Sequence, residues 1–190
     1  MGVDDVEPDD EFLSQFDETY EQHLAEHRDG PVNWNLLTAE EACSEWADLD
    51  AWVNWLKTTF GLSPSIVPPM WHRHDELIWE LSALHTHFLA CYDDHASPSA
   101  PIVWMRDFAD ARYRLRDWVA QCGTRLDRDR PTRQTVWPGE SAPAPGSEAE
   151  IHDRAADFAA YVRNDIDRRE RIESSIREEL HVGSPFTTPR

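Results

Sequence analysis

Histidine and cysteine are the residues in this sequence whose types and spacing could act together. His72 and His74 stand in Trp71-His72-Arg73-His74, and His85, His87 and Cys91 follow. His87 and Cys91, four positions apart, would share one face of a helix. Zinc takes nitrogen and sulfur ligands at tetrahedral corners, so His72, His74, His87 and Cys91 form a candidate metal set. Spacing weighs against it, because His74 and His87 are 13 residues apart, about 20 Å along a helix rising 1.5 Å per residue. A second segment, carrying Cys43 or Cys122, would be needed to close such a site. The plainer assignment is a group of polar helix-edge and capping histidines, with no metal and no cofactor.

Glu76, Glu80 and His87 make a polar stripe along the same segment. Buried carboxylates could carry out acid–base work. Neither glutamate has a histidine three residues on, so the signature of carboxylate-bridged two-metal bundles is missing. A solvated seam paired with Arg73 or Arg112 is the simpler expectation. The sequence contains no nucleophile elbow, P-loop, dinucleotide fingerprint or H-E-x-x-H, and catalysis is not expected. Arg125, Arg128, Arg130 and Arg133 alternate with Asp127 and Asp129, which predicts a self-paired surface loop rather than a nucleic-acid groove.

These residues sit on elements that read as helices. Thr38-Ala39-Glu40-Glu41 is a capping box, and Ala42, Trp46, Leu49, Val53, Leu56 and Phe60 follow on one face until Gly61. A proline-rich loop leads to a second helix from about His74 to Tyr92, with Leu77, Leu81, Leu84, Phe88 and Cys91 inward. A second apolar stripe, Trp79, Ala83, Thr86 and Ala90, predicts a helix buried on two sides. Trp104, Phe108, Ala111, Leu115, Trp118 and Cys122 mark a third helix that ends at Gly123, and Trp137 is expected to tuck back on the core. After a Pro/Ala/Gly linker over 140–147, a second capping box at Ser147-Glu150 opens a long amphipathic helix over 148–182, with 183–190 a disordered tail. Strand-like alternation is absent.

The fold class expected is therefore all-α: a small three-helix bundle core over 32–139, an acidic N-terminal arm over 1–31, and a long separate C-terminal helix. All nine tryptophans fall in the core segment, where large aromatics dominate packing. Thirty-seven acidic against 18 basic residues give a net charge of −19. Residues 1–29 carry 11 acids and one base, a density that predicts disorder or conditional helicity. Acidity on this scale opposes binding to phosphate backbones, so nucleic acid is not the expected partner. Three separated cysteines without a CxxC pattern and the lack of a long apolar run predict a reduced, cytoplasmic protein with no membrane span.

The stretches Val32-Asn33-Trp34-Asn35-Leu36-Leu37-Thr38-Ala39-Glu40-Glu41, Trp71-His72-Arg73-His74-Asp75-Glu76-Leu77, Glu80-Leu81-Ser82-Ala83-Leu84-His85 and Arg125-Leu126-Asp127-Arg128-Asp129-Arg130-Pro131 together resemble an uncharacterised actinobacterial family. Its members are often encoded on plasmids, integrative elements or near conjugation genes. The resemblance spans roughly 32–139 and implies no catalytic residues. Architecture and resemblance lead to one expectation: a non-enzymatic protein–protein interaction protein, an adaptor or accessory factor of a mobile genetic element. Its partner-binding candidates are Trp55, Trp79, Phe158, Val162, Ile166, Arg169 and Ile172. Trp55 and Trp79, off the main stripes, should face a partner or each other, and weak self-association through the C-terminal helix is expected. The alternatives are a metal-binding regulator or metal-dependent enzyme using the His cluster, and an acidic DNA-mimic inhibitor.

Overall fold

The structure, a computed structural model, describes residues 30–132, 134–141 and 148–182, with side chains up to 180. The arm over 1–29, the 183–190 tail and most of the linker lie outside the described residues. The described chain is all-α in class, as expected. Its elements are α1 (Ala39–Phe60), a 3-10 turn (Trp71–Arg73), α2 (Asp75–Cys91), α3 (Ala100–Gln121), a two-residue strand β1 (Arg128–Asp129), its partner β2 (Ala149–Glu150), and α4 (Arg154–Val182).

The caps form where local chemistry places them. The Thr38 hydroxyl accepts from the Glu41 N–H at 3.2 Å, and the Glu41 carboxylate accepts from the Thr38 N–H at 2.8 Å. Gly61 ends α1 in the left-handed region at φ 58. Pro101 stands in the first turn of α3, where a missing N–H costs nothing. α1 buries Ala42, Trp46, Leu49, Val53 and Leu56, the stripe read from the sequence, and adds Trp52.

Close helix packing runs from α4 to α1, from α1 to α2, and from α2 to α3. Phe60 crosses from α1 to meet Trp104 and Phe108 of α3, with ring centroids 5.9 and 4.8 Å away. α2 is covered on two sides, but its second buried face is Ile78, Ser82 and His85, not the expected stripe. Trp79, Ala83 and Ala90 look outward, because the buried residues of α2, Leu77, Ile78, Leu81, Ser82, Leu84 and His85, lie on adjoining faces rather than on opposite ones. Trp118 and Trp137 are also exposed rather than packed inward, at 37% and 65%.

The largest correction concerns the C-terminal helix. It begins at Arg154 rather than 148, because Ala149 and Glu150 pair antiparallel with Asp129 and Arg128, and Asp153 supplies the cap by accepting from the Ala156 N–H at 3.0 Å. It is also not separate. Phe158 and Val162 belong to the same buried cluster as Trp46 and Trp71, each contributing about 2 kcal/mol of burial. Trp46 donates its indole N–H to Asp165 at 3.1 Å, and Ala39 donates its backbone N–H to Glu173 at 2.7 Å. The apolar stripe thus has its helix partner within the chain, α1.

Gly123 closes α3 at φ +62, and a methyl group there would come within 2.5 Å of the Arg130 guanidinium. Gly123→Ala should therefore cost about 1–2 kcal/mol from the left-handed backbone alone, read as a lower urea midpoint. An unchanged midpoint would show that this turn relaxes freely.

Candidate functional site

The four residues of the sequence-derived metal set go to three different places. His72 follows Trp71 into the core and points Nε2 at the Asp157 carboxylate, 2.8 Å away. Arg73 donates Nε–H to the same carboxylate at 2.8 Å, which ties the 3-10 turn to α4. The other His72 nitrogen, Nδ1, is buried with no hydrogen-bond partner among the described residues. His87 turns outward to Asp107 of α3 at 3.1 Å, and Cys91 Sγ lies 3.6 Å from His87 Nδ1. His85 stacks on Trp52 at 4.8 Å. The spacing argument against one shared site therefore holds for these four.

His74 takes a different route. It is buried at the mouth of α2, with Nε2 against Asp129 at 2.8 Å and Nδ1 against the Thr132 hydroxyl at 3.0 Å. That hydroxyl donates in turn to Glu76. Cys122, at the end of α3, comes to the same place, so that a nitrogen of His74, an oxygen of Glu76 and the sulfur of Cys122 all lie within 4.8 Å of one another. Within the Arg/Asp loop, Asp127 pairs with Arg128 on the surface as read, and Arg128 also meets Glu148 from outside the loop, whereas Asp129 is taken inward by His74. Nothing local distinguishes Asp129 from Asp127. Asp127 lies outside the two-residue strand and its carboxylate meets Arg128, while that of Asp129 meets His74. Glu80 likewise pairs with Arg114, two residues on from the expected Arg112.

Burial pushes the two core histidines in the same direction, and their partners separate them. His72 is lowered to about 4, because burial outweighs the Asp157 hydrogen bond and a second proton would place an N–H where nothing accepts it. For His74 burial acts downward, but the Asp129 hydrogen bond and the neighbouring Cys122 sulfur reverse it, raising the group to about 9. Asp129 and Asp157 are pushed up by burial yet held below the usual carboxylate range by their histidine and arginine donors.

The second feature is a groove of about 430 Å³ between the entry to α1, the first turns of α2 and the middle of α4. Trp34, Ile78, Trp79, Tyr161 and Ile172 give it apolar walls, and Asp75, Asp165 and Glu173 stand in its lining. Its floor is tied by Arg169, which donates to Asp165 at 2.9 Å, to the Leu37 carbonyl at 2.7 Å and to the Trp34 carbonyl at 3.0 Å. Beside it the stripe of α4 continues uncovered, with Ile172, Ile176 and Leu180 exposed at 49%, 53% and 72%.

No family model, curated protein or solved structure matches the chain.

The partner-binding candidates thus divide by position. Trp79, Arg169 and Ile172 line one groove. Phe158 and Val162 are buried within the chain and Ile166 packs against the core, so these three are scaffold rather than docking surface. Trp55 is half-exposed but spends its ring on Phe88 and Phe60, at 5.0 and 6.0 Å, rather than on Trp79. Sequence periodicity could not separate these cases, because one stripe serves the core in its first half and solvent in its second. No described helix is long and apolar enough to cross a membrane.

Proposed function

We propose that this chain is a non-enzymatic protein-interaction module whose docking site is the groove formed by α1, α2 and α4. The observation that carries the reading is the convergence of Trp79, Arg169 and Ile172 on one groove, continuous with the exposed Ile176 and Leu180. Apolar area of this kind at the end of a helix suits an added amphipathic helix laid along it. Charge narrows the occupant: Asp165 is paired with Arg168 and Arg169, which leaves Asp75 and Glu173 as the acids of the lining without an ion pair among the described residues, on a chain that carries −19, so the polar face proposed for the partner is basic. The resemblance of residues 32–139 to a family carried on mobile elements supports an accessory or adaptor role beside such an element, acting in the cytoplasm.

A labelled peptide with leucine on one helical face and lysine on the other tests this by fluorescence anisotropy. It should bind, weaken as salt is raised, and bind about tenfold more weakly, or about 1.4 kcal/mol, to a protein carrying Trp79→Gln with Ile172→Gln. Both side chains are substantially exposed, so the fold should survive. Equal binding to the double variant, or equal binding of a peptide with glutamate in place of lysine, would overturn the reading.

A further inference from the structure

We infer that His74, Glu76 and Cys122 form a zinc site where the start of α2 meets the end of α3. The inference goes beyond the interaction reading and does not depend on it. Three donors of different kinds, an imidazole nitrogen, a carboxylate oxygen and a thiol sulfur, lie within 4.8 Å of one another. Such a mixed set with sulfur and imidazole selects zinc over magnesium or calcium, which want oxygen ligands alone.

A second, independent observation is the carboxylate behind the histidine. Asp129 is buried and receives His74 Nε2–H at 2.8 Å, which leaves Nδ1 as the coordinating atom, on the side where Glu76 Oε1 lies 3.9 Å away. A carboxylate bonded to the far nitrogen of a histidine is the usual support for a metal-ligating ring, fixing its tautomer and orientation. Thiolate and carboxylate together supply two negative charges against the two positive charges of the ion. As the zinc–nitrogen and zinc–sulfur bonds form, the proton that His74 Nδ1 holds against the Thr132 hydroxyl and the thiol proton both leave to solvent.

Zinc–ligand bonds of about 2.0–2.3 Å need the donors to draw inward from their present separation. Glu76 can supply most of that movement, being the donor with side-chain exposure, 16% against 0% for His74. Cys122 and His74 are held by helix ends. The Thr132 hydroxyl, now hydrogen-bonded to both Nδ1 and Glu76, is the nearby group that would take the fourth position or yield it to water. A site so enclosed is structural in kind: it would clamp α2, α3 and the 124–132 segment together.

The full chain, stripped with chelator and titrated with zinc and cobalt, tests the assignment by elemental analysis after gel filtration and by absorption spectroscopy. The parent and a Cys91→Ser variant should each retain one metal ion per chain. Their cobalt forms should show tetrahedral bands together with a sulfur-to-cobalt charge-transfer band. Cys122→Ser should lose the charge-transfer band, and Glu76→Gln should bind at least about tenfold more weakly. Circular dichroism confirms that each variant is folded. If Cys122→Ser does not fold, Glu76→Gln, altered at a partly exposed position, decides the matter: binding equal to the parent overturns the site. The absence of stoichiometric metal on the parent overturns it too. So does a charge-transfer band that survives Cys122→Ser, or one lost in Cys91→Ser, which would place the ion on the His87–Cys91 pair instead.

Discussion

Replacing Arg169 with leucine should destabilise the protein by about 3–5 kcal/mol, the cost of breaking a buried ion pair by removing one partner. Arg169 is buried, and its guanidinium serves three acceptors on two parts of the chain: Asp165 one turn back on α4, and the carbonyls of Leu37 and Trp34 ahead of α1. Leucine fills part of the volume but donates nothing, so two carbonyls and much of a carboxylate charge lose their partner. Burial pushes the Asp165 carboxyl up, but bonds from Arg169, Trp46 and Arg168 hold it below its ordinary value. A change of Asp165 to asparagine in the leucine background should therefore recover part of the loss, since the stranded charge is gone. Arg169→Lys should fall between parent and leucine, keeping the charge but not the planar fork that reaches three acceptors. Urea denaturation followed by circular dichroism measures all three. A loss below about 1 kcal/mol for the leucine variant would mean that the 34–37 turn is held by other contacts. From the sequence alone, this arginine was a partner-binding candidate on the C-terminal helix. In the fold it fastens one helix to its own core.

Stability should peak near pH 6.5 and fall on both sides. His72 has its pKa lowered from 6.5 to about 4 in the folded chain. Between those values the unfolded chain binds the proton more readily, so the contribution of His72 is complete above 6.5 and is lost as pH falls towards 4. His74 is shifted the other way, from 6.5 to about 9. Its contribution is complete below 6.5 and is lost as pH rises through 9. At about 1.4 kcal/mol per unit, each limb amounts to about 3 kcal/mol. Below the first limb, Asp129, Asp157 and Asp165, all held below the ordinary carboxylate value, add a further loss as they are protonated. Thermal midpoints of chelator-treated protein across the pH range test the shape. His72→Gln, which keeps a donor for Asp157, should flatten the acid limb and leave the alkaline one. His74→Gln should do the reverse. A parent profile flat from pH 5 to 8 would show that neither ring is held as the structure places it.

The features that were legible in the sequence share a short range. The Thr38–Glu41 capping box, the stops at Gly61 and Gly123, and the stripe from Ala42 to Leu56 all depend on residues three or four apart, and each is present in the fold. The all-α class follows from them. The helix start read at 148 failed for a reason that is not local, while Ser147 of the second capping box lies outside the described residues: the Ala149–Glu150 segment is also the only one offered to Arg128–Asp129 as a strand partner among the described residues, and that pairing delays the helix to Arg154.

What remained hidden required knowing which element covers which. Periodicity marks the apolar face of α4 but not the point at which α1 stops covering it. It therefore grouped Phe158 and Val162, which are core, with Ile172, which is surface. Histidines close in sequence dispersed, because a 3-10 turn sends His72 towards α4 while His74 meets Asp129. His74, Glu76 and Cys122, from opposite ends of two helices, came together. The sequence by itself determined where helices begin, which residues are apolar enough to be buried, and how much charge the chain carries, since these depend on each residue and its near neighbours. Only the tertiary structure decided which polar groups were carried inward with them, because a buried histidine, arginine or carboxylate is tolerated only where another segment supplies its partner.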